Sequence, residues 1–235
     1  MNNFDVIKEL KKYSNKKKSL VLMRFFKTGK GEYGEGDKFM GVIVPEQRKI
    51  AKKYQDLNFS EIKKLLSNPF HEVRLTGLFI LVYKYEKGDK TERKKIYNFY
   101  IKNIKAVNNW DLVDATTPNI IGRYLWESKS SRQIIYKMAN SKNLWERRIA
   151  ILATYYFIKN KYFKDTVEIA RSLLKDEEDL IHKAVGWMLR EVGRRDEKIL
   201  IDFLDQYVLV MSRTTLRYSL EKLSEKQREY YINLK

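Results

Sequence analysis

The 235-residue chain contains no cysteine, and histidine occurs only at positions 71 and 182. The lack of cysteine excludes disulfides, thiolate metal sites and a cysteine nucleophile. Two imidazoles are too few for a histidine-built zinc or iron site, so we expect no metal site of that kind. We expect no cofactor either. Proline is also scarce: Pro45 and Pro69 mark expected helix starts, whereas Pro118 falls inside a helical pattern and predicts a kink or a division of that helix.

Long apolar runs are missing as well, since none approaches the roughly 20 residues that a bilayer-spanning helix needs. The first residues, Met1–Asp5, lack the basic and apolar regions of a signal peptide. We therefore expect a cytoplasmic protein, associated with the nucleoid if it is bacterial or archaeal, and no membrane partner.

Acidic residues are few relative to basic ones: 30 Asp and Glu oppose 48 Lys and Arg, which leaves a net charge of +18. An excess of this size predicts a polyanionic partner, nucleic acid in preference to an anionic membrane. Charge alone does not distinguish DNA from RNA. A protein-binding scaffold is disfavoured by the same excess.

Similar helix starts recur along the chain at Arg74, Arg147 and His182, each after a short polar stretch and before an apolar run with helical period. With a further unit beginning near Asp111, their spacing gives a repeat of roughly 36 residues. A helix-only repeat of this length predicts an all-α solenoid, organised as a single domain over residues 1–235. We expect about a dozen helices, the last over residues 213–223, and one long glycine-rich loop over Gly29–Gly41.

Two tryptophans are candidates for chemistry. Trp110 and Asp114 are four residues apart, so they share a helix face on which an indole and a carboxylate could stabilise a cation or orient water. The alternative is structural: Asp111 caps the helix and Trp110 packs in the core. Trp187 could form a second aromatic wall or be a core residue, and the mid-helix Gly186 before it predicts a close approach by another element.

Basic residues at or near helix starts are candidates for phosphate binding, because N-terminal backbone amides and a guanidinium together attract anions. Arg147 and Arg148 begin one such helix, and periodicity does not decide which of them faces outward. Lys183, Arg190 and Arg194 form a basic stripe on another helix, which could bind phosphates or be a solvated helix face. Arg213 follows a serine at a further helix start and is the last candidate.

Several motifs together resemble the AlkD-like DNA alkylation-repair glycosylases. They are Trp110-Asp111-x-Val113-Asp114, then Asn143-Leu144-Trp145-x-x-Arg148, and then Lys183-Ala184-Val185-Gly186-Trp187-x-Leu189-Arg190-Glu191. Met40-Gly41-Val42-x-x-Pro45-Glu46-x-Arg48 fits the same family. The resemblance extends from about Phe4 to Leu223, and it implies a right-handed α–α superhelix of HEAT-like repeats.

This resemblance also implies an activity and site residues. Members of that family hydrolyse the N-glycosidic bond of N3- and N7-alkylated purines in duplex DNA, without a metal, a lysine Schiff base or a base-flipping pocket. By motif, Asp114 matches the catalytic carboxylate, Trp110 and Trp187 match the indoles that flank the deoxyribose, and Arg148 matches an arginine that contacts DNA. Two positions depart from the best-known pattern: Phe25 stands where some members have tyrosine, and Ile43 where some have a polar residue.

A DNA glycosylase for cationic alkylpurines, acting as a monomer on duplex DNA, is therefore the leading hypothesis. The second hypothesis is a non-catalytic HEAT-repeat protein that binds DNA or senses its structure, because a fold does not determine a function.

Overall fold

In the computed structural model, which describes residues 1–234, the chain is helical and has no strand among those residues. This confirms the predicted all-α helical-repeat fold. The helices are α1 (Asn3–Lys12), α2 (Lys16–Phe25), α3 (Val44–Lys53), α4 (Phe59–Leu66), α5 (His71–Lys87), α6 (Lys90–Lys102), α7 (Trp110–Thr117), α8 (Arg123–Glu127), α9 (Gln133–Ala139), α10 (Leu144–Lys159), α11 (Lys164–Ser172), α12 (Asp179–Gly193), α13 (Glu197–Tyr207), α14 (Arg213–Leu220) and α15 (Glu225–Asn233). No helix in this part of the chain is both long and apolar enough to cross a membrane.

The chain divides into two compact units, residues 1–112 and residues 113–235, and the division falls within α7. It does not test the single domain predicted over 1–235, which stays a prediction. In the first unit α5 is the central helix, and α1, α3, α4 and α6 pack against it. Most of its side chains are buried, including Leu78, Phe79 and Ile80, as expected for a helix that is apolar on all faces.

Two long helices organise the second unit. The apolar helix α10 packs against α8, α9, α11 and α12, and α12 packs in turn against α13 and α14. The central helices α5, α10 and α12 thus begin at the recurring motifs recognised in the sequence. Asparagine, aspartate or serine caps several helix starts through a backbone N–H of the first turn, at positions 2, 15, 58, 89, 143, 196, 212 and 224.

Two features differ from the predicted helices or refine them. Pro118 does not end its helix: residues Pro118–Gly122 form one wide π-helical turn, and helical backbone continues into α8. Because proline lacks an N–H, the chain accommodates it by local rearrangement of the hydrogen bonds rather than by a break. The sequence analysis also missed α15, which begins at a capping box of Ser224 and Gln227.

The predicted long loop lies between α2 and α3, where residues 26–43 contain no helix. Its last residues are held by the buried carboxylate of Glu72, which accepts hydrogen bonds from the backbone N–H groups of Met40, Gly41 and Val42 at 2.8–3.2 Å. By contrast, α2 buries none of its side chains, and its apolar residues Leu20, Val21 and Phe25 are exposed.

Candidate functional site

In the second unit, Asp114 is paired with Arg148. The guanidinium of Arg148 donates from Nε to Oδ1 of Asp114 at 2.9 Å and from a terminal nitrogen to Oδ2 at 2.7 Å. It also donates to the backbone carbonyl of Leu180. The Arg148 side chain is 6% exposed, whereas that of Asp114 is 16% exposed. A two-point contact of this kind fixes the plane of a carboxylate.

Arg147 makes a parallel arrangement with a different acid. Its Nε donates to Oδ2 of Asp176 at 2.5 Å, a terminal nitrogen donates to Oδ1 at 3.1 Å, and another reaches the carbonyls of Ser141 and Lys142. Both arginines at the start of α10 therefore bind protein carboxylates. Arg148, and not Arg147, therefore binds Asp114, the second aspartate of the Trp-Asp-x-Val-Asp motif.

Trp187, on α12, is half-buried and lies beside Tyr155, with 5.9 Å between the ring centroids. It is therefore not a fully buried core residue. Gly186 next to it makes the close approach that the sequence predicted, because a Cβ there would lie 2.5 Å from Cβ of Tyr218 and 2.7 Å from the carbonyl oxygen of Thr215.

The other basic residues predicted to bind phosphate have acidic neighbours. Lys183 pairs with Asp179 at 2.7 Å, Arg194 with Glu191 at 3.3 Å, and Arg190 with Glu221. Arg213 is exposed on the first turn of α14, where Ser212 caps the helix. The basic stripe along α12 is thus partly neutralised within the protein, and its binding to DNA stays a prediction.

In the first unit, Trp110 is half-buried and stacks on Phe26, with ring centroids 5.2 Å apart and planes 13° apart. Phe26 stacks in turn on Phe39. Phe25 packs edge-on against Trp110 and is 62% exposed. One face of the indole is therefore supported by a row of aromatic rings, rather than enclosed in the core as in the structural alternative.

Asp111 makes two contacts. Its Oδ1 accepts from the backbone N–H of Leu112 at 2.8 Å, as a residue near a helix start can, and its Oδ2 lies 2.8 Å from Nε2 of His71. The other ring nitrogen of His71 lies 3.1 Å from Oδ2 of Asp37, and Arg74 donates to Oδ1 of Asp37 at 2.6 Å.

The sequence analysis missed this group of Asp37, His71 and Arg74. It placed Asp37 only within the glycine-rich loop Gly29–Gly41, counted His71 only as one of two imidazoles, and named Arg74 only as a helix start. The signal available was the run of polar residues in the first turn of an apolar helix, but partners more than 30 residues away required the structure.

A pocket of about 400 Å³ opens beside these residues, within the range of small-molecule sites. Ile43, one of the two departures from the family pattern, lines it and is 47% exposed. The walls are largely apolar, with two lysines of α2 and three acidic or amide residues among them: Lys17, Lys18, Val21, Leu22, Phe26, Phe39, Val42, Val44, Gln47, His71, Glu72, Leu75 and Asp111.

The comparison that decides the family is a match to the DNA alkylation repair enzyme model over residues 6–223. The chain belongs to this family. The resemblance recognised from its motifs is thereby confirmed. Among curated proteins, no sequence matches this member of the family.

Solved structures share the fold of this alkylation repair family member. A predicted DNA alkylation repair enzyme from Enterococcus faecalis has a TM-score of 0.72 and 17% identity, over 90% of this chain and 97% of that one. AlkD2 from Streptococcus mutans has a TM-score of 0.56 and 19% identity, over 89% and 99% of the two chains. The smu.31 protein of Streptococcus mutans UA159 has a TM-score of 0.55 and 19% identity, over 94% of this chain and 98% of that one.

Proposed function

We propose that this protein is a monofunctional DNA glycosylase that hydrolyses the N-glycosidic bond of cationic N3- or N7-alkylated purines in duplex DNA, acting as a monomer without a base-flipping pocket. The proposal is carried by one observation: the Asp114 carboxylate is half-buried, and both of its oxygens accept hydrogen bonds from Arg148. An oriented, partly desolvated carboxylate is suited to stabilise a positive charge that develops beside it.

The chemistry needs little acid catalysis. When the bond between C1′ and the purine nitrogen breaks, its electron pair leaves with the base and neutralises the positive charge that alkylation placed there. The sugar then has oxocarbenium character, like that in glycoside hydrolysis. Water adds to C1′ and releases one proton to bulk solvent, and Asp114 both stabilises the cation and orients that water.

The aromatic and basic residues have supporting roles in this proposal. By their match to the family motifs, Trp110 and Trp187 present π faces to the cationic sugar. Arg148 orients Asp114, and since three of its nitrogens already donate one bond each, two N–H groups remain for a DNA phosphate. The further DNA contacts that we propose are Arg147, Lys183, Arg190 and Arg194, which would exchange protein carboxylates for phosphates, and the exposed Arg213.

The first prediction concerns Asp114→Asn. The variant should bind alkylated duplex DNA about as well as the parent protein but release no N7-methylguanine, because the amide cannot stabilise the cation as an anion does. The measurement is free N7-methylguanine liberated from methylated duplex DNA, together with the thermal unfolding midpoint of each protein.

Asp176→Asn is the matched control. It breaks the ion pair of Arg147, the residue that precedes Arg148 in the chain. It should retain base release at temperatures where it is folded. If neither the parent nor Asp114→Asn releases base while both bind DNA, the protein is a non-catalytic DNA-binding module and the proposal is wrong.

A further inference from the structure

His71 occupies a buried position between two carboxylates of the first unit. Its side chain is 2% exposed, Nδ1 faces Asp37 at 3.1 Å, and Nε2 faces Asp111 at 2.8 Å. Two carboxylates can both accept from one imidazole only when each ring nitrogen carries a proton. The geometry therefore calls for the imidazolium form.

Two acidic and two basic side chains contact one another directly around His71. The anions Asp37 and Asp111 face the cations His71 and Arg74, and Glu72 on the same helix is occupied by backbone N–H groups. From α2, Lys17 and Lys18 line the pocket that His71 also lines. Burial alone would lower the pKa of His71, but hydrogen bonds to Asp111 and Asp37 outweigh it and raise this pKa to about 9.

Asp37 responds in the opposite direction. Burial would raise the pKa of this carboxyl, yet the hydrogen bond from His71 and the charge of Arg74 outweigh the burial and lower it. Protonated His71 and ionised Asp37 are thus paired with each other and with Asp111 and Arg74, the arrangement in which buried charges are tolerated.

What the cluster holds is the first turn of α7. Besides the contact of His71 with Asp111, the side-chain nitrogen of Asn109 donates to Asp37 at 3.2 Å. The side-chain oxygen of Asn109 accepts the backbone N–H of Trp110 at 2.8 Å, and Arg74 donates to Asn108 at 3.3 Å. Each contact fixes backbone or side chain immediately beside Trp110.

The ring of His71 also belongs to the aromatic row behind Trp110. It stacks on Phe39 with a centroid distance of 4.7 Å and lies 4.9 Å from Phe26, the ring on which Trp110 itself stacks. One side chain thus supports both the backbone that carries the indole and the rings against which the indole packs.

We propose that His71 is a positioning residue that, held between Asp37 and Asp111, fixes the orientation of the Trp110 indole. This rests on the proposed function only in assigning a catalytic use to that orientation. His71 would therefore act through Trp110 and not on the substrate itself. A small displacement of a group beside the reacting atoms is sufficient to slow a reaction.

The first test follows the indole itself, without DNA. The protein is labelled with 5-fluorotryptophan, and the fluorine resonance of Trp110 is assigned by its loss in Trp110→Phe. In the parent protein this resonance should shift between pH 7 and pH 10 with a midpoint near the pKa of His71. In His71→Gln it should already be displaced at pH 7 and should not titrate.

Two further variants make this test decisive. Asp111→Asn weakens the same contact from the other side, because it replaces the charged acceptor by a neutral amide, and it should displace the Trp110 resonance at pH 7 even if His71→Gln does not fold. His182→Gln is the matched control, because it removes the other histidine, whose Nε2 contacts the backbone carbonyl of Asp176, and it should leave the resonance of Trp110 unchanged. A Trp110 resonance that stays in place in folded His71→Gln or Asp111→Asn overturns the proposal.

The second test measures base release. His71→Gln should lower kcat by roughly 10- to 100-fold with little change in KM, as expected for a misplaced catalytic group and not for lost DNA binding. Unchanged kcat despite a displaced indole overturns the catalytic use assigned to the orientation of Trp110. If the parent protein releases no base, the proposed function fails, whereas the fluorine titration still decides whether His71 positions Trp110.

Discussion

Adjacent residues of the same type have different partners at the start of α10. Arg148 binds Asp114 and Arg147 binds Asp176, and the acids are 34 and 29 positions away in the chain. From the sequence, both arginines were equivalent cations at a helix start. Because an ion pair depends on how separate helices pack, neither partner could be found by spacing, and only the motif resemblance favoured Arg148.

At this scale we predict the effect of Arg148→Lys. Lysine keeps the positive charge but has no planar pair of donors, so it cannot hold both oxygens of Asp114 in one plane. The kcat for base release should fall by roughly 100-fold, with a smaller change in DNA affinity. Steady-state release of N7-methylguanine and duplex binding of the same preparation measure the two effects.

Arg147→Lys is the comparison for this prediction, because it alters the equivalent contact with Asp176. Its kcat should remain within a few-fold of the parent value. Equal losses of kcat in the two variants would mean that Arg148 acts through stability or charge and not through the orientation of Asp114.

At the scale of helices, the period of apolar residues and the capping residues predicted where most helices begin. The prediction failed for α15, which is largely polar and buries only Tyr231, so apolar periodicity gives no signal there. It also could not choose between a kink and a division at Pro118. That outcome depends on whether neighbouring helices support irregular backbone, which spacing does not encode.

The contact between α12 and α14 predicts the result of Gly186→Ala. Alanine would add ~1 kcal/mol of helix propensity. However, its Cβ would lie 2.5 Å from Cβ of Tyr218, and overpacking of this kind costs about 1–3 kcal/mol. We expect a net loss in the free energy of unfolding, measured by urea denaturation.

Gly77→Ala provides the internal reference for this substitution. This glycine is also within a helix, but its nearest neighbours would be side-chain atoms of Leu65 and Leu66 at 3.1 and 3.3 Å. The change in its unfolding free energy should be smaller than for Gly186→Ala. A Gly186→Ala protein as stable as the parent would show that α12 and α14 can separate without cost.

At the scale of the whole molecule, a net charge of +18 remains although many basic side chains are paired with acids. The family and the excess of charge were both accessible from the sequence, because composition and motifs do not depend on packing. The ion pairs could not be predicted from the sequence. They determine how many of the basic side chains can bind DNA phosphates.

This charge predicts a steep dependence of duplex binding on salt, since each neutralised phosphate releases counterions. With about six phosphate contacts, affinity should fall by roughly 10³-fold between about 50 and about 200 mM salt. Fluorescence anisotropy of a labelled duplex measures it, and the same duplex with uncharged methylphosphonate linkages should show a nearly flat profile. A shallow dependence for the natural duplex would favour a protein-binding scaffold instead.

The exposed helix α2 has a consequence for how this family can diversify. Because none of its side chains is fully buried, substitutions at its exposed positions, such as Lys17, Lys18 and Val21, should have little effect on the free energy of unfolding. The helix nevertheless contributes Lys17, Lys18, Val21 and Leu22 to the pocket wall. Natural variation can therefore reshape that wall from one member to the next while the helices around α5 keep the scaffold intact.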